Sequence, residues 1–132
     1  MEPTSVVHKA LIIPINKEGK IFIQDRRGYK KPDWGFFGGS IEQGETPLEA
    51  VLRETHEELD IELRPETLLF LGVFYAAWND LERHIYLFKT DKEQFTVKEE
   101  NGGCWLTLEE ARDRMDSKER FDEIARKIKT VL

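Results

Sequence analysis

The chain is poor in cysteine. Its 132 residues include one, Cys104, so no intrachain disulfide can form and a fold held by covalent staples is excluded. Cys104 reads instead as a small buried hydrophobe. Histidine is scarce too: His8, His56 and His84 are scattered without the spacing that holds zinc. The longest apolar run, Leu68 to Trp78, has eleven residues and is broken by Gly72, against the roughly 18 that suggest a membrane span. The opening Met1-Glu2-Pro3-Thr4 lacks the basic and then apolar pattern of a secretory signal. With the single cysteine, this predicts a cytoplasmic protein with no membrane partner. Positive charge is in deficit: 20 Lys and Arg stand against 26 Asp and Glu, a net charge of −6. No nucleic acid polymer is therefore expected as a partner. A polyanionic ligand of any size needs a metal or a local basic patch.

The composition, 39% hydrophobic and 11% aromatic, supports a core, and a chain of this length buries roughly two thirds of its unfolded surface. Residues 1–132 read as a single domain without repeats or linkers. Val6 to Ile15 and Lys20 to Asp25, separated by Asn16-Lys17-Glu18-Gly19, predict a hairpin. A basic loop, Arg26 to Asp33, leads to a short strand over Trp34 to Phe37 and then to Gly38-Gly39. Thr46-Pro47-Leu48-Glu49 announces a helix, with a Thr cap, Pro at the first helical position and Glu three residues after the cap. Leu48, Val51, Leu52, Thr55 and Leu59 follow at helical spacing and form its core stripe.

Further strands are predicted over Leu68 to Trp78, Glu82 to Thr90, Gln94 to Val97 and Cys104 to Leu106. A second capping box at Thr107 and Glu110 precedes a helical pattern of Phe121, Ile124, Ala125, Ile128 and Leu132. Strands and helices mix, which predicts an α/β (α+β) architecture with a sheet between helices.

On the first helix Glu54, Glu57 and Glu58 fall at i, i+3 and i+4 and share a face, centred roughly 120° from the apolar stripe. Three like charges repel, and clustered hard oxygen ligands suit Mg²⁺, with Mn²⁺ as a substitute. Taken alone, such a face is most often solvated surface.

The wider pattern changes that balance. Gly39, Glu45, Arg53, Glu54, Glu57, Glu58 and Ile61 fit the signature of the Nudix hydrolase family, Gly-x5-Glu-x7-Arg-Glu-U-x-Glu-Glu-x-Gly-U with U apolar. With 18 Glu, nine Gly and nine Arg in the chain, chance agreement at the six fixed positions is roughly two in a million per register. The chain resembles the MutT-like members of that family. Two positions depart: Asp60 replaces the last Gly, where a left-handed turn is expected, and Thr55 replaces an apolar residue, its hydroxyl expected to bond one turn back.

The resemblance implies an α/β/α sandwich and hydrolysis of a nucleoside diphosphate linked to a group X. It implies Glu54, Glu57, Glu58 and the Gly38 carbonyl as metal ligands, with Arg53 and Glu45 bracing loop against helix. A later acid, with Glu99 preferred over Glu100, is implied as general base or extra metal ligand, and Glu54 is the rival base. Arg26 and Arg27, ahead of Lys30 and Lys31, are candidates to receive phosphate beside Gly39. Trp34, Trp78, Trp105, Tyr75 and Phe74 are candidates to stack on a base, though aromatics in strands more often form core.

A small-molecule nucleotide is the expected partner, the protein being a monomer or homodimer. A noncanonical or oxidised nucleoside triphosphate, cut to the monophosphate and pyrophosphate, leads the expected substrates; dinucleoside polyphosphates and nucleotide sugars stay open. Arg83-His84-Ile85-Tyr86-Leu87 and Cys104-Trp105-Leu106 resemble the oxidised-guanine branch, but the region around Arg120 lacks the Asn with which that branch reads the purine. A nucleotide-sensing domain without turnover and an acidic structural module are the competing readings.

Overall fold

The structure, a computed structural model, describes residues 8–75, 81–97 and 101–132. Strand β1 (Lys9–Ile15) and strand β2 (Ile21–Asp25) form the expected hairpin, with Ile15 opposite Ile21. Asn16 closes it: its side-chain oxygen accepts from the backbone N–H groups of Glu18 and Lys20, a local bond that favours turn over strand.

The single strand expected over Trp34 to Phe37 divides in two. Strand β3 (Trp34–Gly35) pairs with β2, whereas strand β4 (Phe37–Ser40) crosses to β1 and sets Gly38 opposite Leu11. Apolarity is continuous across the run, so pattern alone cannot reveal a change of partner.

Helix α1 (Pro47–Leu59) begins where its signals place it. Thr46 accepts from the Glu49 N–H, and the Glu49 carboxylate accepts from the Thr46 N–H, a cap that contributes about 1 kcal/mol. Its buried face is Ala50, Val51, Thr55 and Leu59; Leu48 and Leu52 are half-buried. Asp60 ends the helix in the expected left-handed turn, φ 55°, donating its N–H to the His56 carbonyl. The expectation for Thr55 needs correction: its hydroxyl is buried without a hydrogen-bond partner among the described residues.

Strand β5 (Leu68–Tyr75) pairs antiparallel with strand β6 (Glu82–Lys89), and β6 lies parallel to β1 with Lys9 opposite Arg83. The last residues expected on β5, through Trp78, lie outside the described residues. Strand β7 (Gly103–Leu106) adds to β2. The strand expected over Gln94 to Val97 is absent among the described residues. Phe95 and Val97 pack against the core at alternate positions, and the Glu93 carbonyl accepts from the Trp105 indole N–H. Side-chain burial with a period of two thus occurs there without a ladder.

Helix α2 (Leu108–Arg114) starts at the second capping box and helix α3 (Lys118–Val131) follows. Phe121, Ile124, Ala125 and Ile128 are buried as expected, while Leu132 is exposed. Alternation along β1 divides the core: Ala10 and Ile12 join Phe22, Phe37, Val51 and Leu59 on the α1 face, and Leu11, Ile13 and Ile15 join Phe121, Ile124 and Ile128 on the α3 face. Burying each large side chain contributes about 1.5–3 kcal/mol. The result is the expected mixed sheet between helices.

Candidate active site

Both faces of the sheet reach the site through β4. Gly38 has φ 135°, and a side chain on it would overlap the Ala10 carbonyl of β1; a glycine is required there. Its N–H donates to Glu58 Oε2 at 2.8 Å. A β-carbon on Gly39 would lie 2.5 Å from Glu54 Oε1. The double glycine thus lets the β4 backbone close on the carboxylate edge of α1.

Arg53 is the hub of that edge. Its Nε and Nη2 donate to the two oxygens of Glu45 at 2.8 and 3.0 Å, and Nη2 also to the Ser40 carbonyl at 3.1 Å. Its Nη1 donates to Glu54 at 3.1 Å and to Glu57 at 3.4 Å. The hydrogen bonds from Arg53, followed by the one from the Glu42 N–H, hold the Glu45 carboxyl at a pKa of about 2. Arg53 is pushed above its ordinary value, first by Glu45. The guanidinium ties the loop before α1 to the helix, and its Glu45 bond is bidentate. Glu54 is enclosed, its side chain 14% exposed, while Glu57 at 56% faces solvent.

Among the described residues no three side chains of His, Cys, Asp or Glu converge on an ion-sized site. Arg53 engages Glu54 and Glu57, and Gly38 engages Glu58. The donor set itself fits a hard divalent cation: three carboxylates share one helical edge, and one of them is enclosed where a β-carbon would collide. Glu99 lies outside the described residues.

Gly38 and Gly39 also line a cavity of about 270 Å³ between β1, β6, the basic loop and α3. Arg26 lines it, donating from Nε to Gln24 Oε1 at 2.8 Å and from Nη2 to the Phe36 carbonyl at 3.1 Å. Arg27 is not on this wall. Asp25 holds it through two side-chain bonds, and its guanidinium lies 4.8 Å from the Trp34 ring centroid, with that of Arg114 at 4.9 Å. Lys30, Lys31 and Trp34 line the cavity.

Of the other candidate aromatics, Phe74 is core, Trp105 packs against Phe22 and Phe95, Tyr75 is exposed, and Trp78 lies outside the described residues. Lys9, Arg83 and Arg120, not singled out from the sequence as ligand-binding residues, complete the cationic wall. For Lys9 the signal was parity: Lys9 and Leu11 share a strand face, so the first cation of β1 points toward the α3 side.

Residues 7–128 match the family described as NUDIX domain. The chain belongs to the NUDIX domain family. Within that family it is 32% identical over 102 residues to an 8-oxo-dGTP diphosphatase of Proteus vulgaris, covering 74% of this chain and 88% of the relative. An RNA pyrophosphohydrolase of Francisella tularensis subsp. mediasiatica is 44% identical over 55 residues, 42% of this chain. The match spans only 33% of that relative's length. Among solved structures, a MutT from work on Aliivibrio salmonicida and Vibrio cholerae superposes with a TM-score of 0.74 at 23% identity, covering 96% of this chain and 99% of the other. NUDIX domains use divalent metal cations. Among the described residues of this one, no helix is long and apolar enough to cross a membrane.

Proposed function

We propose that this NUDIX domain is a magnesium-dependent pyrophosphohydrolase that cuts the anhydride of a nucleoside diphosphate linked to a group X. The observation that carries the reading is the juxtaposition of Glu54 and Glu58 with Gly38 and Gly39, on the rim of a cavity lined by cations. Glu54, Glu57, Glu58 and the Gly38 carbonyl would hold the cation, which when bound supplies the positive charge that lets a polyanion approach an acidic helix.

The residues of the chain do the rest. Glu54 or Glu99 accepts a proton from the attacking water, whose oxygen bonds to phosphorus as the bridging P–O bond breaks and the leaving phosphate departs with the bridging oxygen. Arg53, held by Glu45, fixes the carboxylates so that little reorganisation accompanies the step. Arg26 and the cavity lysines orient the phosphates.

The narrower reading, a noncanonical or oxidised nucleoside triphosphate giving the monophosphate and pyrophosphate, is supported by the likeness to the Proteus vulgaris 8-oxo-dGTP diphosphatase. The test is release of phosphate or pyrophosphate from a nucleotide panel with Mg²⁺ and with EDTA. Turnover is expected with the metal and not with the chelator, and Glu57→Gln is expected to lower it by about two orders of magnitude or more without unfolding the domain. Tight metal-dependent binding with no product would instead favour a nucleotide sensor.

A further inference from the structure

The sheet ends at β5, and the outer edge of that strand has no partner among the described residues. An unpaired edge is ordinarily blunted by a charge or a proline. Leu68–Tyr75, LLFLGVFY, contains neither. Phe70 and Tyr75 would face opposite ways on a regular strand, but the register shifts at a bulge between Phe70 and Gly72. Phe70 then lies opposite Tyr86, Val73 opposite His84 and Tyr75 opposite Glu82. All three therefore share one face.

That face is the one α1 covers elsewhere, since His84 is level with Ala10 of the α1-side core. Helix α1 packs on β1 and β4, and among the described residues the β5 end of the sheet stays open. Phe70 is 53% exposed, Tyr75 49% and Val73 39%. The Phe70 ring rests against Tyr86, with centroids 5.1 Å apart, so a neighbour fixes its position on the sheet.

The occupant this edge specifies is a second copy, because the strand is its own complement. Read in both directions about the Gly72–Val73 bond, Phe70 meets Tyr75, Leu71 meets Phe74 and Gly72 meets Val73. Exposed aromatics oppose exposed aromatics, buried Leu71 opposes buried Phe74, and Val73 has room beside a glycine. A two-fold axis demands such self-complementarity, and a strand without charge brings no like charges together across it. The strand by itself is too small. Its four half-exposed side chains, Leu69 included, bury on the order of 600 Å² in a pair of copies, against the roughly 1,200 Å² at which specific interfaces begin.

Helix α3 supplies the remainder. Val73 and Phe74 border a shallow groove with Glu123, Arg126, Lys127 and Thr130, which recur at helical spacing along the flank of α3 beside β5. When two β5 strands run antiparallel, the two α3 helices do so as well, and Glu123 of each copy comes to Lys127 of the other. On its own helix Glu123 has Arg120 at 3.6 Å. We propose that the chain forms a two-fold dimer in which β5 pairs antiparallel with β5 of a second copy about the Gly72–Val73 bond, α3 lying beside its counterpart. The assembly is independent of the chemistry at Glu54 and Glu58.

Sedimentation velocity of the full chain from about 1 to 300 μM, a span that brackets a small interface, is expected to show reversible passage from the mass of one chain to that of two. Phe70→Lys and Val73→Lys, both at exposed positions, set like charges near the axis and should raise the dissociation constant at least about tenfold. Glu123→Lys and Lys127→Glu should each weaken the dimer about three- to tenfold, and the double exchange should return it to within about twofold of the parent. The exchange leaves the strand untouched, so it decides the matter even if the β5 variants fail to fold. The mass of one chain at every concentration would overturn the proposal, as would assemblies growing beyond two chains. So would a dimer indifferent to the β5 substitutions, or a double exchange that rescues nothing.

Discussion

Gly39 and Glu54 share one small volume: a β-carbon on the glycine would lie 2.5 Å from the Oε1 atom of the glutamate. The neighbour is the far end of a flexible side chain, and Gly39 does not need a left-handed backbone. Gly39→Ala should therefore fold normally while displacing the carboxylate. Activity is expected to fall by about ten- to a hundredfold, since an ångström of misplacement at a reacting site costs on that order. Steady-state kinetics beside a thermal melt check it; full activity in the variant would remove Glu54 from the site.

Thr55 carries a buried hydroxyl with no partner among the described residues. Thr55→Val keeps the shape and removes the desolvated oxygen, so stability should rise by about 1 kcal/mol and the melting temperature by about 3–5 °C. Calorimetry decides the sign. A lower melting temperature would mean that the hydroxyl is bonded in solution.

Asp60 holds φ 55° at the end of α1, a conformation that disfavours side chains other than those of Asn and Asp. Asp60→Gly should add about 0.5 kcal/mol, the relief of strain being partly offset by greater freedom in the unfolded chain. The expected readout is a higher urea midpoint with an unchanged slope.

Glu45 makes part of the fold's stability acid-sensitive. Its pKa is about 2 in the folded protein against an ordinary 4.5, so between those values the unfolded chain binds more protons and stability rises with pH. The contribution is complete above about pH 4.5 and is lost as pH falls toward about 2. Glu45→Gln should be less stable than the parent at neutral pH, and the gap should narrow on acidification. Denaturant midpoints for both proteins across that range test it. A gap that stayed constant would show that the carboxylate is unperturbed.

The candidate site was legible to the extent that it lies on one helix. Thr46, Pro47 and Glu49 fix where α1 begins, and once its phase is set Glu54, Glu57 and Glu58 must share an edge while Val51, Thr55 and Leu59 face inward. Asp60 likewise announced its own turn. Where partners come from distant strands, local pattern fell short. The Trp34 to Phe37 run changes partner from β2 to β1 without a break in apolarity, and Phe95 and Val97 alternate like a strand while pairing with none among the described residues.

Periodicity, caps and the spacing of acids are local properties, governed by backbone geometry over a few residues, and the sequence by itself determined them: the helices, the hairpin and the carboxylate edge. Only the tertiary structure decided what faces that edge. Arg53 reaches Glu45 eight positions away, Gly38 meets Glu58 twenty positions away, and Lys9, Arg83 and Arg120 meet around one cavity although more than a hundred residues separate the first from the last. Their meeting follows from the parallel pairing of β1 with β6 and the packing of α3 across them, and such long-range closures are set by burial of the whole core, which no short window of residues encodes.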